Sequence, residues 1–234
     1  MSQHTEIDVA FDFRSDTPAG KDADADSPTL RRYHQILWSK PLSDGRALGR
    51  LGGPPTRYFS HNSDLGDFYL TSDSIVHTYD YWERLSPIIA EIGPEDREAF
   101  KHIANTVGAY ILFPGNAIDG KLTINGARGL HPKINDRFDF TLECIRRRYL
   151  GEDSVLAETL DLYPDFFNLF GDFRGYTDFF LLQDLVTDDY SAVRFFLPFT
   201  NFEGTGLPKT LDEYKSYRER ATAFVEARNA RIAA

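Results

Sequence analysis

The segment Thr123-Ile124-Asn125-Gly126-Ala127-Arg128-Gly129-Leu130-His131-Pro132 joins two glycines, a side-chain amide and a guanidinium just ahead of a helix starting at Asp136. Glycine permits close backbone approach, free amides beside a helix N-terminus bind anions, and arginine adds a bidentate fork. Asn125 and Arg128 are therefore candidate ligand-positioning residues. The segment is not a Walker loop, since no Gly-Lys-Ser/Thr follows, and its glycine spacing does not fit a dinucleotide fingerprint. The competing reading is a tight turn whose arginine pairs with a carboxylate. On the next helix Arg137, Thr141, Cys144 and Arg148 share one flank at spacings of four, three and four. Arg137 and Arg148 on such a flank can neutralise a phosphate or carboxylate. The plainer alternative is internal pairing, because Glu143 has Arg146 and Arg147 three and four residues on.

A second constellation lies between Phe173 and Val186, where Arg174, Asp178, Gln183 and Asp184 interrupt an otherwise aromatic and aliphatic stretch. Read as one helix buried on several sides, it requires its carboxylates to be paired or protonated. The arginines of the Asp136–Leu150 helix are the expected partners. Asp178 or Asp184 would then serve as a general base or bind a cation, or else fix helix register with no catalytic duty.

Other metal and nucleophile patterns fail. Asp22, Asp24 and Asp26 alternate like the start of a calcium loop, but Ser27 and Tyr33 stand where Gly and Glu belong. The six histidines show no zinc spacing. Cys144 lies in a helix with no nucleophile signature and reads as a buried thiol. The metal set is empty and any cofactor is unassigned.

The elements that must position these residues follow from periodicity and caps. Ile7 to Phe13 alternates like a half-buried strand, and residues 14–26 form an acidic loop. Ser27-Pro28 starts a helix that reaches Ser39 and stops before Pro41, with Leu30, Tyr33 and Leu37 as its buried stripe. Residues 41–66, rich in Gly, Pro and Ser, read as loop with at most one short strand. Asp67–Leu70 is a strand, and a short helix follows through Ile75 and Trp82. Helices are predicted over 86–92 and 94–105. Tyr110–Phe113 is a buried strand pairing, across a Gly115–Gly120 hairpin, with Lys121–Asn125. Asp136–Leu150 places Phe138, Leu142, Ile145 and Tyr149 on one face, and Gly151 stops it. Shorter helices over 154–163 and 165–170 precede the 173–186 helix. Val193–Phe196 is a strand, and Thr210 with Glu213 caps a terminal helix over 211–231. The pattern is a single α+β domain, mostly helical, with a small β-sheet.

Composition sets the outer bounds. The chain has 234 residues, 41% hydrophobic and 14% aromatic, enough for a substantial core and too much for a disordered or disulfide-held protein. Lys+Arg 26 against Asp+Glu 36 gives −10, which argues against general nucleic-acid binding. One cysteine forms no intrachain disulfide and fits a reducing compartment. The N-terminus lacks signal-peptide features, and no apolar run approaches the ~20 residues of a membrane span. A cytoplasmic protein of unassigned oligomeric state is expected.

Several of these segments together resemble an uncharacterised family of bacterial proteins, a domain of unknown function. They are Ser27–His34 with Leu37–Lys40, Thr71–Ile75, Ile124–Gly129, Asp136–Asp139 with Leu142–Arg147, and Gly175–Asp184, so that the likeness spans most of residues 7–231. The resemblance implies one intact domain in a bacterial cytosol and brings no activity, ligand or catalytic residue. From the residues themselves the expected function is binding of a small anionic ligand, phosphate-bearing or nucleotide-like, with enzymatic action on it left open. The alternative is a non-enzymatic interaction or regulatory module whose acidic surface recognises a basic protein.

Overall fold

In the computed structural model, which describes residues 7–50, 59–63 and 66–234, three helix boundaries are set by the caps read from the sequence. Ser27 Oγ accepts from the Leu30 amide at 3.1 Å, and Thr210 Oγ1 accepts from the Glu213 amide at 3.2 Å. Gly151 closes its helix at φ +70°, a conformation that disfavours any side chain.

The helices are α1 (Ala23–Asp26), α2 (Pro28–Leu37), α3 (Ser86–Ala90), α4 (Pro94–Ala104), α5 (Ile124–Leu130), α6 (Phe138–Leu150), α7 (Ala157–Leu160), α8 (Pro164–Asn168), α9 (Phe173–Phe179) and α10 (Leu211–Ala233). Strands β1 (Gly49–Arg50), β2 (Phe59–Ser63), β3 (Gly66–Ser74) and β4 (Tyr110–Pro114) make one antiparallel sheet in sequence order. The fold is α+β and predominantly helical. Its buried apolar side chains form one cluster, with β4 buried along its whole length.

Strand β3 organises the interior because consecutive side chains leave opposite faces. Ser72 meets α2, where His34 Nε2 lies 2.9 Å from its hydroxyl and His34 Nδ1 accepts from Trp38 Nε1 at 2.7 Å. That acceptance leaves the proton on Nε2. Burial holds this imidazole neutral, pulled down to about 3. Asp73, one residue on, meets Arg128 of α5 at 2.6 Å. Helix α10 packs across α3, α4 and the tight turns Val107–Ala109 and Gln183–Leu185. Its approach to Gly108 is close: a Cβ there would lie 2.6 Å from Asn229 Oδ1. The buried Arg228 guanidinium donates to the carbonyls of Gly108, Tyr110 and Phe180, joining the end of α10 to the start of β4 and the end of α9.

Several sequence expectations are corrected. Ile7–Phe13 is not a strand: Asp8 O accepts from Phe11 N in a turn, and a 3-10 turn follows at Phe13–Ser15. Its alternating apolar residues still pack on the core, without a strand partner. The acidic loop contains α1. Residues 41–66 hold β1, β2 and the first residue of β3, while 51–58 and 64–65 lie outside the described residues. Strand β3 runs on to Ser74 and no helix spans 75–82, because hydroxyls of α10 take that segment's backbone groups, as described below. Lys121–Asn125 does not pair with β4. Thr123 instead caps α5, so the glycine-rich segment is helical. The 173–186 helix ends at Phe179, where Leu181 turns at φ +56°, and Val193 makes only an isolated bridge to Val186.

Candidate functional site

The six residues singled out from the sequence do not converge. Asn125 sits half-buried on α5, and the amide of Gly126 beside it is taken by Thr123 Oγ1 at 3.2 Å. Arg128 is fully buried and bonded to Asp73, to the carbonyls of Ser74 and Asp136, and to Thr141 Oγ1. Arg137, buried at the start of α6, grips Asp139 with two nitrogens and donates to the Gly206 carbonyl at 2.8 Å. Arg148 lies over the Phe167 ring and faces Asp161 at 3.6 Å. Asp178 and Asp184 are not buried against the α6 arginines. Their side chains are 43% and 27% exposed, paired with Arg174 and Arg231 respectively. For Asp184 the premature end of α9 is the reason, since that residue falls on the Gln183–Leu185 turn beyond it. The α6 flank pairs as its spacing predicts, with Glu143 held by Arg146 and Arg147. Cys144 is buried, its thiol pushed up to about 12.

What the structure does assemble lies around Arg128. An open cleft of about 480 Å³ is lined by Asp22 and Asp24 of the α1 region, Asp73 and Ser74 of β3, residues 76–78 with Tyr81, and Asn105 and Tyr110. Its 76–81 wall is held from α10. Tyr214 and Tyr217 donate to the carbonyls of Thr78 and His77 at 2.8 and 2.9 Å, and the His77 amide donates back to the Tyr217 hydroxyl. Tyr79, buried at φ +60°, donates to the carbonyl of Asn135. Asn135 and Asp136 are themselves both left-handed, at +51° and +62°. Non-glycine residues are held in such conformations only when their surroundings over-determine them, and they cluster at functional sites. Here the turn places the Asp136 carboxylate 3.2 Å from Arg128 and 3.8 Å from His77 Nε2. His77 Nε2 also lies 3.1 Å from the Ser74 carbonyl, which only accepts, so Nε2 carries the proton. Nδ1 is then an acceptor, with the exposed Tyr81 hydroxyl 3.5 Å away.

Carboxylates stand close together in this network. One guanidinium, Arg128, is ion-paired to Asp73 and Asp136, and Asp24 stands near Asp73 as a further carboxylate. Burial, then the charges of Asp73 and Asp22, raises Asp24 from 3.8 to about 7. Burial lifts Asp73 to about 6 against the pull of Arg128. Burial lowers His77 to about 4, against the nearby Asp136. The cleft thus presents a carboxyl group that exchanges its proton near neutrality, backed by an imidazole that stays uncharged there.

Between 3.8 and about 7 the folded chain keeps on Asp24 a proton that the unfolded chain has released, so stability falls as pH rises through that window. Asp24→Asn removes this decline. The variant is expected to match the native chain near pH 4 and to exceed it at pH 8 by roughly 2 kcal/mol. That is about half of what the full displacement implies, because Asp24 retains solvent access. Urea midpoints at the two pH values check it, and equal stability at pH 8 would contradict it.

Sequence reasoning passed over Asp24, Asp73, His77 and Tyr81. The alternation of Asp22, Asp24 and Asp26 is the signal for Asp24, and it points to a calcium loop that Ser27 and Tyr33 rule out. The signal for Asp73 was an acid in the interior of a strand, among small polar residues. Among the described residues no group of three or more His, Cys, Asp or Glu is placed to hold a metal ion. Likewise no helix there is long and apolar enough to cross a membrane.

Fold and site together define a helix-rich α+β protein with a carboxylate-lined cleft over a buried arginine. The chain belongs to a family of unknown function (DUF6994), which matches residues 7–232. No curated protein and no solved structure matches it.

Proposed function

We propose that this chain binds a small polar ligand in the Asp24–Asp73–His77 cleft and that Asp24 exchanges a proton with it. The observation that carries this reading is the grouping of three carboxylates, Asp22, Asp24 and Asp73, on the lining of one open cleft. We keep the small-ligand class expected from the sequence and reverse its polarity. Arg128 and Arg137 are closed off by internal partners, and the groups facing the cleft include the carboxylates of Asp22, Asp24 and Asp73 and the Thr78 hydroxyl, whose own proton goes to Asp80. They favour a neutral or cationic ligand rich in N–H or O–H donors. Such a ligand loses a proton to ionised Asp24 or gains one from its acid form, which makes proton transfer the chemistry the site can supply. The bacterial cytosol implied by the resemblance is the setting we infer.

A thermal-shift panel tests this: primary amines, polyols, sugar phosphates and nucleotides, each with the native chain and Asp24→Asn at pH 6 and 8. A ligand at a hundred times its Kd stabilises by about 2.7 kcal/mol, several degrees of melting temperature for a chain of this size. An amine or polyol is expected to raise the melting temperature of the native chain and much less that of the variant. Stabilisation by phosphates alone, or an equal response from Asp24→Asn, would overturn the reading.

A further inference from the structure

On a chain of net charge −10, three arginines gather where α10 passes the 184–196 segment: Arg194, Arg220 and Arg231. They differ in how firmly they are held. Arg231 is ion-paired with Asp184 at 3.0 Å. Arg194 reaches only Asp188, whose side chain is fully exposed, a pair that water screens and that yields readily. Arg220 has no carboxylate partner among the described residues. Its Nη1 donates to the carbonyls of Phe195 and Phe196 at 3.3 and 3.4 Å, which fixes the guanidinium and leaves its other donors for a further acceptor.

Beside these arginines is a hollow of about 240 Å³, mostly apolar, lined by Phe195, Phe196 and Phe224 with Leu185 and Ala223, and by Asp184, whose carboxylate is ion-paired with Arg231. Its walls are fixed. The Phe196 amide donates to Asp139 Oδ2 at 2.8 Å, the Arg194 amide to the Leu185 carbonyl at 2.8 Å, and Phe195 stacks on Phe199 at 4.2 Å between centroids. The volume is below the ~300 Å³ at which drug-sized ligand sites begin, so it suits a single ring or a short chain.

We propose that this hollow binds a small apolar monocarboxylate, its tail against the three phenylalanine rings and its carboxylate on Arg220 and Arg194. The site is separate from the acidic cleft and of opposite polarity. It places an anion-binding function on arginines that the sequence pattern did not single out.

An amide NMR titration of the full chain with phenylacetate tests it, with phenethylamine and inorganic phosphate as controls. Saturable shifts are expected for phenylacetate at Leu185, Arg194–Phe196 and Arg220–Phe224, with none from the amine. Arg220→Gln should weaken binding on the order of tenfold, the range of one charge-assisted hydrogen bond. Ala223→Leu should do the same by filling the hollow with charge unchanged. Ala223 is exposed on α10 and leucine is a good helix former, so the fold should persist. Asp24→Asn should leave the titration as it is, which keeps this test distinct from that of the cleft. No saturable shift at millimolar phenylacetate, unchanged affinity in Arg220→Gln, or equal displacement by phosphate would overturn the proposal.

Discussion

Arg228→Ala is expected to lower the unfolding free energy by about 4–5 kcal/mol, much of the 5–15 kcal/mol that holds a typical domain together. Arg228 is among the largest fully buried side chains and has no ion-paired carboxylate among the described residues. Burial pulls its guanidinium down to about 9, still charged at neutral pH. Its donors go to the backbone carbonyls of Gly108, Tyr110 and Phe180, and its charge lies 5.9 Å from the Trp38 ring centroid. Truncation opens a cavity and deprives those carbonyls at once. Arg228→Met keeps most of the volume, isolates the loss of hydrogen bonds and should cost about 2 kcal/mol. Urea unfolding of both variants measures the split. A loss under 1 kcal/mol in Arg228→Ala would show that α10 is held by its apolar contacts alone.

Arg128→Met is expected to cost about 3–5 kcal/mol at pH 7.5, and the loss should shrink on acidification. The guanidinium is bonded to both Asp73 and Asp136. Without it a buried carboxylate is left beside two others. Asp73 then releases its proton only at higher pH than the about 6 it has with Arg128 present. In the variant, stability should therefore decline from mildly acidic pH upward, because the unfolded chain ionises Asp73 first. Adding Asp73→Asn to Arg128→Met should restore most of the loss. A cost that is the same at pH 5 and pH 8, or that the second substitution leaves untouched, would mean that Arg128 acts by packing alone.

These effects show where the sequence was legible. Local signals were read correctly when the partner sits within a few residues: Ser27 on Leu30, Thr210 on Glu213, Gly151 at the end of α6, and Glu143 with its two arginines. They failed where tertiary bonds decide. No helical periodicity could anticipate that Tyr214 and Tyr217, about 140 residues away, take up the backbone of residues 77 and 78. The run from Phe173 to Val186 reads as one helix from its apolar content, and the positive φ of Leu181 that breaks it leaves no local mark. Arg128 was rightly set beside a carboxylate in one of the two readings offered. That the carboxylate is Asp73, 55 residues earlier on β3, depends on sheet geometry. The cleft was missed for the same reason, since its walls come from α1, β3, the 76–81 segment and the start of β4.

Buried beside the carboxylates of Asp73 and Asp22, Asp24 is half-ionised near neutral pH. A carbon-13 NMR titration of the Asp24 carboxyl, assigned by comparison with Asp24→Asn, measures this directly. The account predicts an inflection at about 7; an inflection near the ordinary 3.8 would contradict it.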